Sequence, residues 1–179
     1  SRPCDACGRS CPVTLPGGRE SEARFNVFRW PLEERLAGMR IFACEHLTRE
    51  TVWIPGLQHH ANGATRIVRI ELVAANPRAE AEHLGRLIDM PAQAVDGGWS
   101  VASGGARADF LFLDRAGFAQ LYPEAVRRGA VSEGAASMVL GTRDLAAVRA
   151  QVPQAVAHGD RASVPAASAN GVVVSFAQM

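Results

Sequence analysis

The chain has 179 residues, 47% of them hydrophobic and 21% charged, values ordinary for a soluble globular protein with a packed core. Nineteen basic and eighteen acidic residues leave a net charge of +1, so no basic stripe marks a nucleic-acid partner. No apolar run reaches the about 18 residues of a membrane span, and Ser1 to Pro16 holds no apolar stretch of signal-peptide type.

The expectation is therefore a soluble cytoplasmic protein with neither a nucleic-acid nor a membrane partner. All nineteen basic residues are Arg, which points to a GC-rich coding sequence and carries no functional message. The chain opens on Ser1 rather than Met, in keeping with a processed or partial start.

Residues 1–23 read as an irregular segment, because Pro3, Pro12, Pro16 and the Gly17-Gly18 pair interrupt regular elements. Cys4, Cys7 and Cys11 sit here at a spacing that suits thiolates converging on one soft metal ion. A zinc site would need a fourth ligand, with Cys44, His46, His59 and His60 available. A cysteine-bearing terminus without metal is the simpler alternative.

From Arg24 to Trp30 the chain is rich in strand formers and roughly alternates. Arg40 to Cys44 reads as a second strand, and Thr48 to Trp53 as a helical turn closed by Pro55-Gly56. Together residues 24–63 form a strand-rich extension.

Arg66 to Ala74 is the clearest strand. Val68, Ile70 and Leu72 share one apolar face that should be buried, while Ile67, Arg69, Glu71 and Val73 share the other. With its two charges this second face should meet solvent or a cleft, and Arg69 beside Glu71 suggests a salt-bridged solvent face, with a ligand role for Glu71 as the alternative. Asn76-Pro77 then supplies an N-cap and a first-turn proline for a helix to about Ile88, with Ala81, Leu84 and Ile88 on its inward stripe.

Residues 91–96 read as a connection. Short strands are expected at Trp99 to Ser103 and Asp109 to Leu113, joined through Gly104-Gly105. A short helix over residues 115–122 precedes Pro123. Ala135 to Gly141 is a strand, Asp144 to Gln151 a helix, and Val156 to His158, Ala162 to Val164 and Val172 to Phe176 the closing strands.

The second half repeats the first. The stretch Arg69-Ile70-Glu71-Leu72-Val73-Ala74-Ala75-Asn76-Pro77 lines up with Ala136-Ser137-Met138-Val139-Leu140-Gly141-Thr142-Arg143-Asp144, each a strand followed by a capped helix. A period of about 65 residues with strand–helix–strand–strand–strand content marks duplicated units that should pack together. The divisions are residues 64–130 and 131–179.

At this point the chain resembles a known superfamily. A strand followed by Arg143-Asp144-Leu145 opening a helix is similar to the start of a glyoxalase/bleomycin-resistance/dioxygenase (vicinal-oxygen-chelate) module. The segments Phe42-Ala43-Cys44-Glu45-His46, Val52-Trp53 and His60-Ala61-Asn62-Gly63-Ala64 resemble the bacterial glyoxalase-like domain subfamily in particular. The resemblance spans roughly Ser21 to Phe176. It implies an α+β fold of paired βαβββ modules with an N-terminal strand-rich extension, as the C-terminal portion of a four-module protein.

The resemblance also implies a sheet-lined cup in which His and Glu ligands hold one divalent ion, Zn, Fe, Mn or Ni. Position makes Glu45, His46 and Glu71 the candidate ligands, although adjacent strand residues face opposite ways. The second module has no His or acid on its opening strand and only Ser175 on its closing one, so a standard ligand set is incomplete and no metal at all is the alternative. Cys44 reads as a buried apolar cysteine, and His83 and His158 as surface residues.

Three functions follow as expectations, with catalysis left open. The first is a cleft that binds a small hydrophobic or planar molecule through Trp30, Trp53, Trp99 and Phe112, with His60 and Asn62 as further ligand-binding residues. The second is a metal-dependent lyase, isomerase or dioxygenase using His46, His60 and Glu45 or Glu71. The third is a degenerate dimerisation scaffold; the strands of residues 24–46 are expected to be completed by packing on the module pair or on a second copy of the chain, and a homodimer is the expected state.

Overall fold

A computed structural model of the protein describes the backbone of residues 5–179 and the side chains from residue 8 onward. The chain divides into two compact units, one of Ser1–Arg35 and Met39–His59, the other of Leu36–Gly38 and His60–Met179.

The first unit is an antiparallel three-stranded sheet of β1 (Asp5–Thr14), β2 (Glu20–Arg29) and β3 (Phe42–His46) in the order β1-β2-β3. The irregular segment expected over residues 1–23 is thus a strand hairpin from Asp5 onward. Pro12 is tolerated because β1 is an edge strand, where a missing N–H costs no ladder bond. The Gly17-Gly18 pair, both at positive φ, makes the turn and is closed by Leu15 N–H to the Arg19 carbonyl at 2.9 Å.

The second unit carries the repeat. Its first module runs β4 (Ala64–Val73), α1 (Pro77–Ile88), β5 (Ala92–Val95), β6 (Gly98–Val101) and β7 (Asp109–Leu113). After α2 (Arg115–Leu121) and α3 (Glu124–Arg127) comes the second, β8 (Gly134–Thr142), α4 (Leu145–Gln151), β9 (Val156–His158), β10 (Arg161–Val164) and β11 (Val173–Gln178). One eight-stranded sheet results, in the order β5-β6-β7-β4-β8-β11-β10-β9. Each module is a βαβββ unit with its first and last strands parallel, and the modules join where β4 and β8 pair antiparallel. This is the α+β, paired-βαβββ fold that the resemblance implied, with an N-terminal three-stranded sheet added.

Local chemistry explains the elements. Asn76 Oδ1 accepts from Ala79 N–H at 3.1 Å, and Asp144 Oδ1 from Ala146 and Ala147 N–H at 2.8 and 3.1 Å. Each module helix therefore opens on a side-chain cap. Residues 92–95, expected as a connection, form a strand because Asp96-Gly97 makes a two-residue hairpin. Val95 stands opposite Gly98 across it, and Gly97 supplies the positive φ that the turn needs.

The register sorts the sheet into two faces. Leu72, Phe112, Trp99 and Val101 alternate to one side, where α1 buries Ala81 and Leu84. Leu140, Val174, Phe176, Ala162 and Val164 continue that side under α4. Each of the fully buried Leu, Val and Phe side chains among them contributes about 2 kcal/mol of apolar transfer, while Trp99, Leu140 and Val174 are half-buried. The opposite face is helix-free over much of its width. There α2 and α3 pack through Phe118, Tyr122 and Val126 on a cluster that includes Val73, Leu111, Leu113 and Val173.

Candidate functional site

Residues paired across a sheet share a face, so register alone assembles a polar row on the side away from α1 and α4. Glu71 of β4 stands opposite Ser137 of β8, and Arg69 opposite Val139. Val139 pairs with Ser175 of β11, Ser175 with Ser163 of β10, and Arg161 with His158 of β9. Tyr122, at the end of α2, comes down on this row from the covering segment.

Glu71 is the centre. Its side chain is 0% exposed, and an unpaired buried carboxylate would be untenable. Its Oε1 accepts from Arg69 Nε at 3.0 Å and from Arg69 Nη2 at 2.8 Å. Two N–H groups of one guanidinium thus converge on a single carboxylate oxygen, as charge-assisted hydrogen bonds. Arg161 Nη1 approaches the same oxygen at 3.4 Å. Tyr122 Oη donates to Oε2 at 2.6 Å. The tyrosine oxygen also meets Ser137 Oγ at 2.8 Å and Arg161 Nη1 at 3.1 Å. With its one proton committed to Glu71, Tyr122 accepts from both of the others.

A second chain of hydrogen bonds lies alongside. Ser163 Oγ donates to Ser175 Oγ at 2.9 Å, so at its 2.7 Å contact with His158 Nε2 the hydroxyl accepts. His158 therefore carries its proton on Nε2. Its ring meets Tyr122 edge-on at 5.5 Å between centroids, a favoured aromatic geometry. The Arg161 guanidinium stands 5.8 Å from the Tyr122 ring centre, within reach of a cation–π contact.

The electrostatics follow from burial. Tyr122 is raised well above the ordinary tyrosine value, first by desolvation and then by the negative charge of Glu71. His158 is lowered from 6.5, by burial and then by Arg161. Both are neutral at pH 7.

The sequence-expected residues are distributed differently. Arg69 and Glu71 do pair on one face, but Glu71 is fully buried instead of facing solvent. His158 and His83, expected at the surface, are half-buried. Cys44, expected in an apolar interior, is exposed, because β3 shows most of its side chains to solvent. Trp99 and Phe112 lie on the helix face: Phe112 is completely buried, and Arg78 of α1 covers the Trp99 ring at 5.2 Å.

His60 is exposed, and it is its backbone carbonyl that fixes the turn, accepting from Gly63 N–H at 2.9 Å. Asn62 Oδ1 accepts from Ala64 N–H at 3.1 Å. In the first unit Trp30 is half-buried, and Trp53, 52% exposed, stacks on His46 at 5.9 Å and donates Nε1–H to its Nδ1 at 3.2 Å. Phe25 meets His46 edge-on at 5.2 Å, and Glu45 accepts from Asn26 at 2.8 Å.

Cys4 and the side chain of Cys7 lie outside the described residues, and Cys11 is an exposed free thiol. Residues 7 and 11 occupy one extended strand, which sets them roughly 13 Å apart where convergence on one ion would need a turn.

Tyr122, Arg161, Ser137 and Ser163 escaped sequence reasoning. Arg161 and Ser163 alternate on one short strand, a signal of a polar face that was available. Nothing local marks Tyr122 beyond its being the chain's only tyrosine.

Among the described residues, no three His, Cys, Asp or Glu side chains gather as a metal-binding group. A divalent ion does not fit at Glu71 either. Both carboxylate oxygens are engaged, and two guanidiniums stand where further ligands would have to be.

No protein-family profile and no curated protein sequence matches the chain. Among solved structures, a hypothetical protein from Staphylococcus aureus is similar with a TM-score of 0.60 at 8% identity, covering 98% of this chain and 57% of that one. The chain thus spans little more than half the length of that protein. Methylmalonyl-CoA epimerase from Mycobacterium tuberculosis gives a TM-score of 0.45 at 15% identity, covering 66% of this chain and 95% of that one. A methylmalonyl-CoA epimerase in complex with methylmalonyl-CoA and NH4+ gives 0.43 at 14%, covering 64% and 94%. At such identities the likeness concerns the fold alone. Among the described residues, no helix is long and apolar enough to cross a membrane.

Proposed function

We propose that the chain is a small-molecule-binding protein of glyoxalase-like fold, with its ligand seated on the helix-free sheet face against the Arg69–Glu71–Tyr122–Arg161 cluster. One observation carries this reading. Glu71 is fully buried, while its partners Arg69 and Arg161 keep 31% and 16% of their side-chain surface in contact with solvent. A buried polar cluster presenting a few fixed donors to solvent is what a recognition site requires.

Binding is favoured over catalysis because Glu71 is covered by its own partners. A substrate atom reaches the carboxylate only by displacing Arg69, Tyr122 or Arg161, so Glu71 is not free to take a proton. Trp99 and Phe112 face α1, and the floor proposed for the ligand on the opposite side is polar.

The test is a ligand screen read residue by residue. A metabolite panel is added to isotope-labelled protein, and resonances of the Tyr122 ring, the His158 ring and the Arg161 Nε–H are followed. Hits that move these three together support the assignment. Hits that move only other regions would place the binding function elsewhere.

A further inference from the structure

Charge counting at the cluster, resting on the binding reading above, sharpens the ligand's chemistry. Arg69 and Arg161 bring two positive charges and Glu71 one negative. Tyr122 and His158 are neutral, so the group holds a net +1 around a carboxylate with no solvent contact. Asp160 faces this group weakly, 3.9 Å from Arg161 Nε with its side chain 88% exposed, and exposed Asp109, paired with Arg69 across β4 and β7, stands on the same face; solvent screens both.

The guanidiniums are also incompletely used. Arg69 commits Nε and Nη2 to Glu71, and Arg161 commits Nη1 to Glu71 and Tyr122. Among the described residues Arg69 Nη1 and Arg161 Nη2 have no hydrogen-bond partner, and both side chains reach solvent. A planar guanidinium with spare N–H groups beside an unbalanced positive charge is a receptor for a compact oxyanion.

We infer that the ligand of this face carries a single carboxylate, which supplies the second counter-charge and bridges Arg69 and Arg161. The count selects among anions. One negative charge brings the cluster to neutrality, whereas a phosphate dianion would reverse its sign beside Glu71.

Matched acids and amides isolate the charge, because each pair shares its shape. Benzoate and benzamide, phenylacetate and phenylacetamide, butyrate and butyramide, together with inorganic phosphate, are titrated into the full chain at low salt. The Tyr122 ring and the Arg161 Nε–H are followed by NMR. At least one acid should bind about tenfold more tightly than its amide, weaken as salt rises, and lose that advantage in both Arg161→Gln and Arg69→Gln. The Arg69 variant removes the more exposed guanidinium and guards against an Arg161 variant that fails to fold. Equal binding of acid and amide at the same resonances overturns the carboxylate and leaves the binding face standing. Tighter binding of phosphate than of any acid overturns it in favour of a dianion. No response of these resonances to any probe overturns it as well, and if the metabolite screen is also silent there, the binding face falls with it.

Discussion

Tyr122 Oη donates a 2.6 Å hydrogen bond to Oε2 of Glu71, a carboxylate 51 positions earlier in the chain and wholly removed from solvent. The bond ties the segment that crosses the helix-free face to the opening strand of the first module. Burial first, and then the negative charge of Glu71 beside it, keep the proton on the tyrosine.

That relationship can be read directly, because Tyr122 is the chain's only tyrosine. An ultraviolet titration of the phenolate band should show no tyrosinate near pH 10 while the protein is folded, and one ordinary tyrosine once it is denatured. Since the folded group is raised above 10.0, its stabilising contribution is complete below pH 10 and is lost as pH rises beyond it. A native titration at the ordinary value would mean the hydroxyl does not meet Glu71.

Tyr122→Phe should cost about 1–3 kcal/mol, because it leaves Oε2 of Glu71 without its donor and deprives Ser137 and Arg161 of their acceptor. Chemical denaturation of the two proteins measures the difference. No measurable change would show that water or another group takes the hydroxyl's place.

Glu71→Gln should be more damaging, on the order of 3 kcal/mol, because two partly buried guanidiniums lose the counter-charge of a carboxylate that is itself closed to solvent. The loss should respond little to added salt, since the carboxylate is not screened. Glu71→Leu separates shape from charge. If it is as stable as the parent, the fold does not need the carboxylate, and its role is confined to the function of the face.

Why this cluster was only half legible follows from where its members lie. Alternation placed Arg69 and Glu71 on one face, and that holds. Whether the face is wet or buried depends on Tyr122 and Arg161, the latter 90 positions from Glu71, and strand periodicity carries no information about what covers a face. The helices were readable because Asn76 and Asp144 are local caps. The hairpin of β1 and β2 was not, since Pro12 and Gly17-Gly18 look the same in an irregular segment as in an edge strand and its turn. His158 and Ser163 share the limitation: their bond joins two short strands whose pairing is visible only once the sheet is assembled.

His158 gives the molecule a pH dependence of calculable sign. Its folded value lies below 6.5, through burial and then the positive charge of Arg161, with Asp160 and Glu71 opposing. Below that pH the unfolded chain binds the proton more readily than the folded one, so stability is full above about pH 6.5 and declines as pH falls through and below it. His158→Gln keeps a donor for Ser163 and removes the titration. Its stability should therefore be flatter than the parent's across the acidic limb, as measured by urea denaturation at a series of pH values. Parallel curves for the two proteins would refute the assignment.

The covering segment itself depends on a close approach at Gly117 of α2. A Cβ there would sit 2.8 Å from the Gly97 carbonyl oxygen and 3.4 Å from Leu113 Cδ2, both parts of the sheet floor. The helix is anchored at this point by Asp114, whose Oδ1 accepts from Gly117 N–H at 2.7 Å. Backbone cannot yield as a flexible side chain would, so Gly117→Ala should shift α2 outward and cost about 1–3 kcal/mol, against the gain alanine normally brings to a helix. Because Tyr122 lies five positions further along the same segment, the displacement should also lengthen its bond to Glu71. The phenolate titration of the folded variant should then move down toward pH 10. A variant destabilised without that movement would show that Tyr122 is held by its ring contacts with Phe118 and His158 rather than by the seating of the helix.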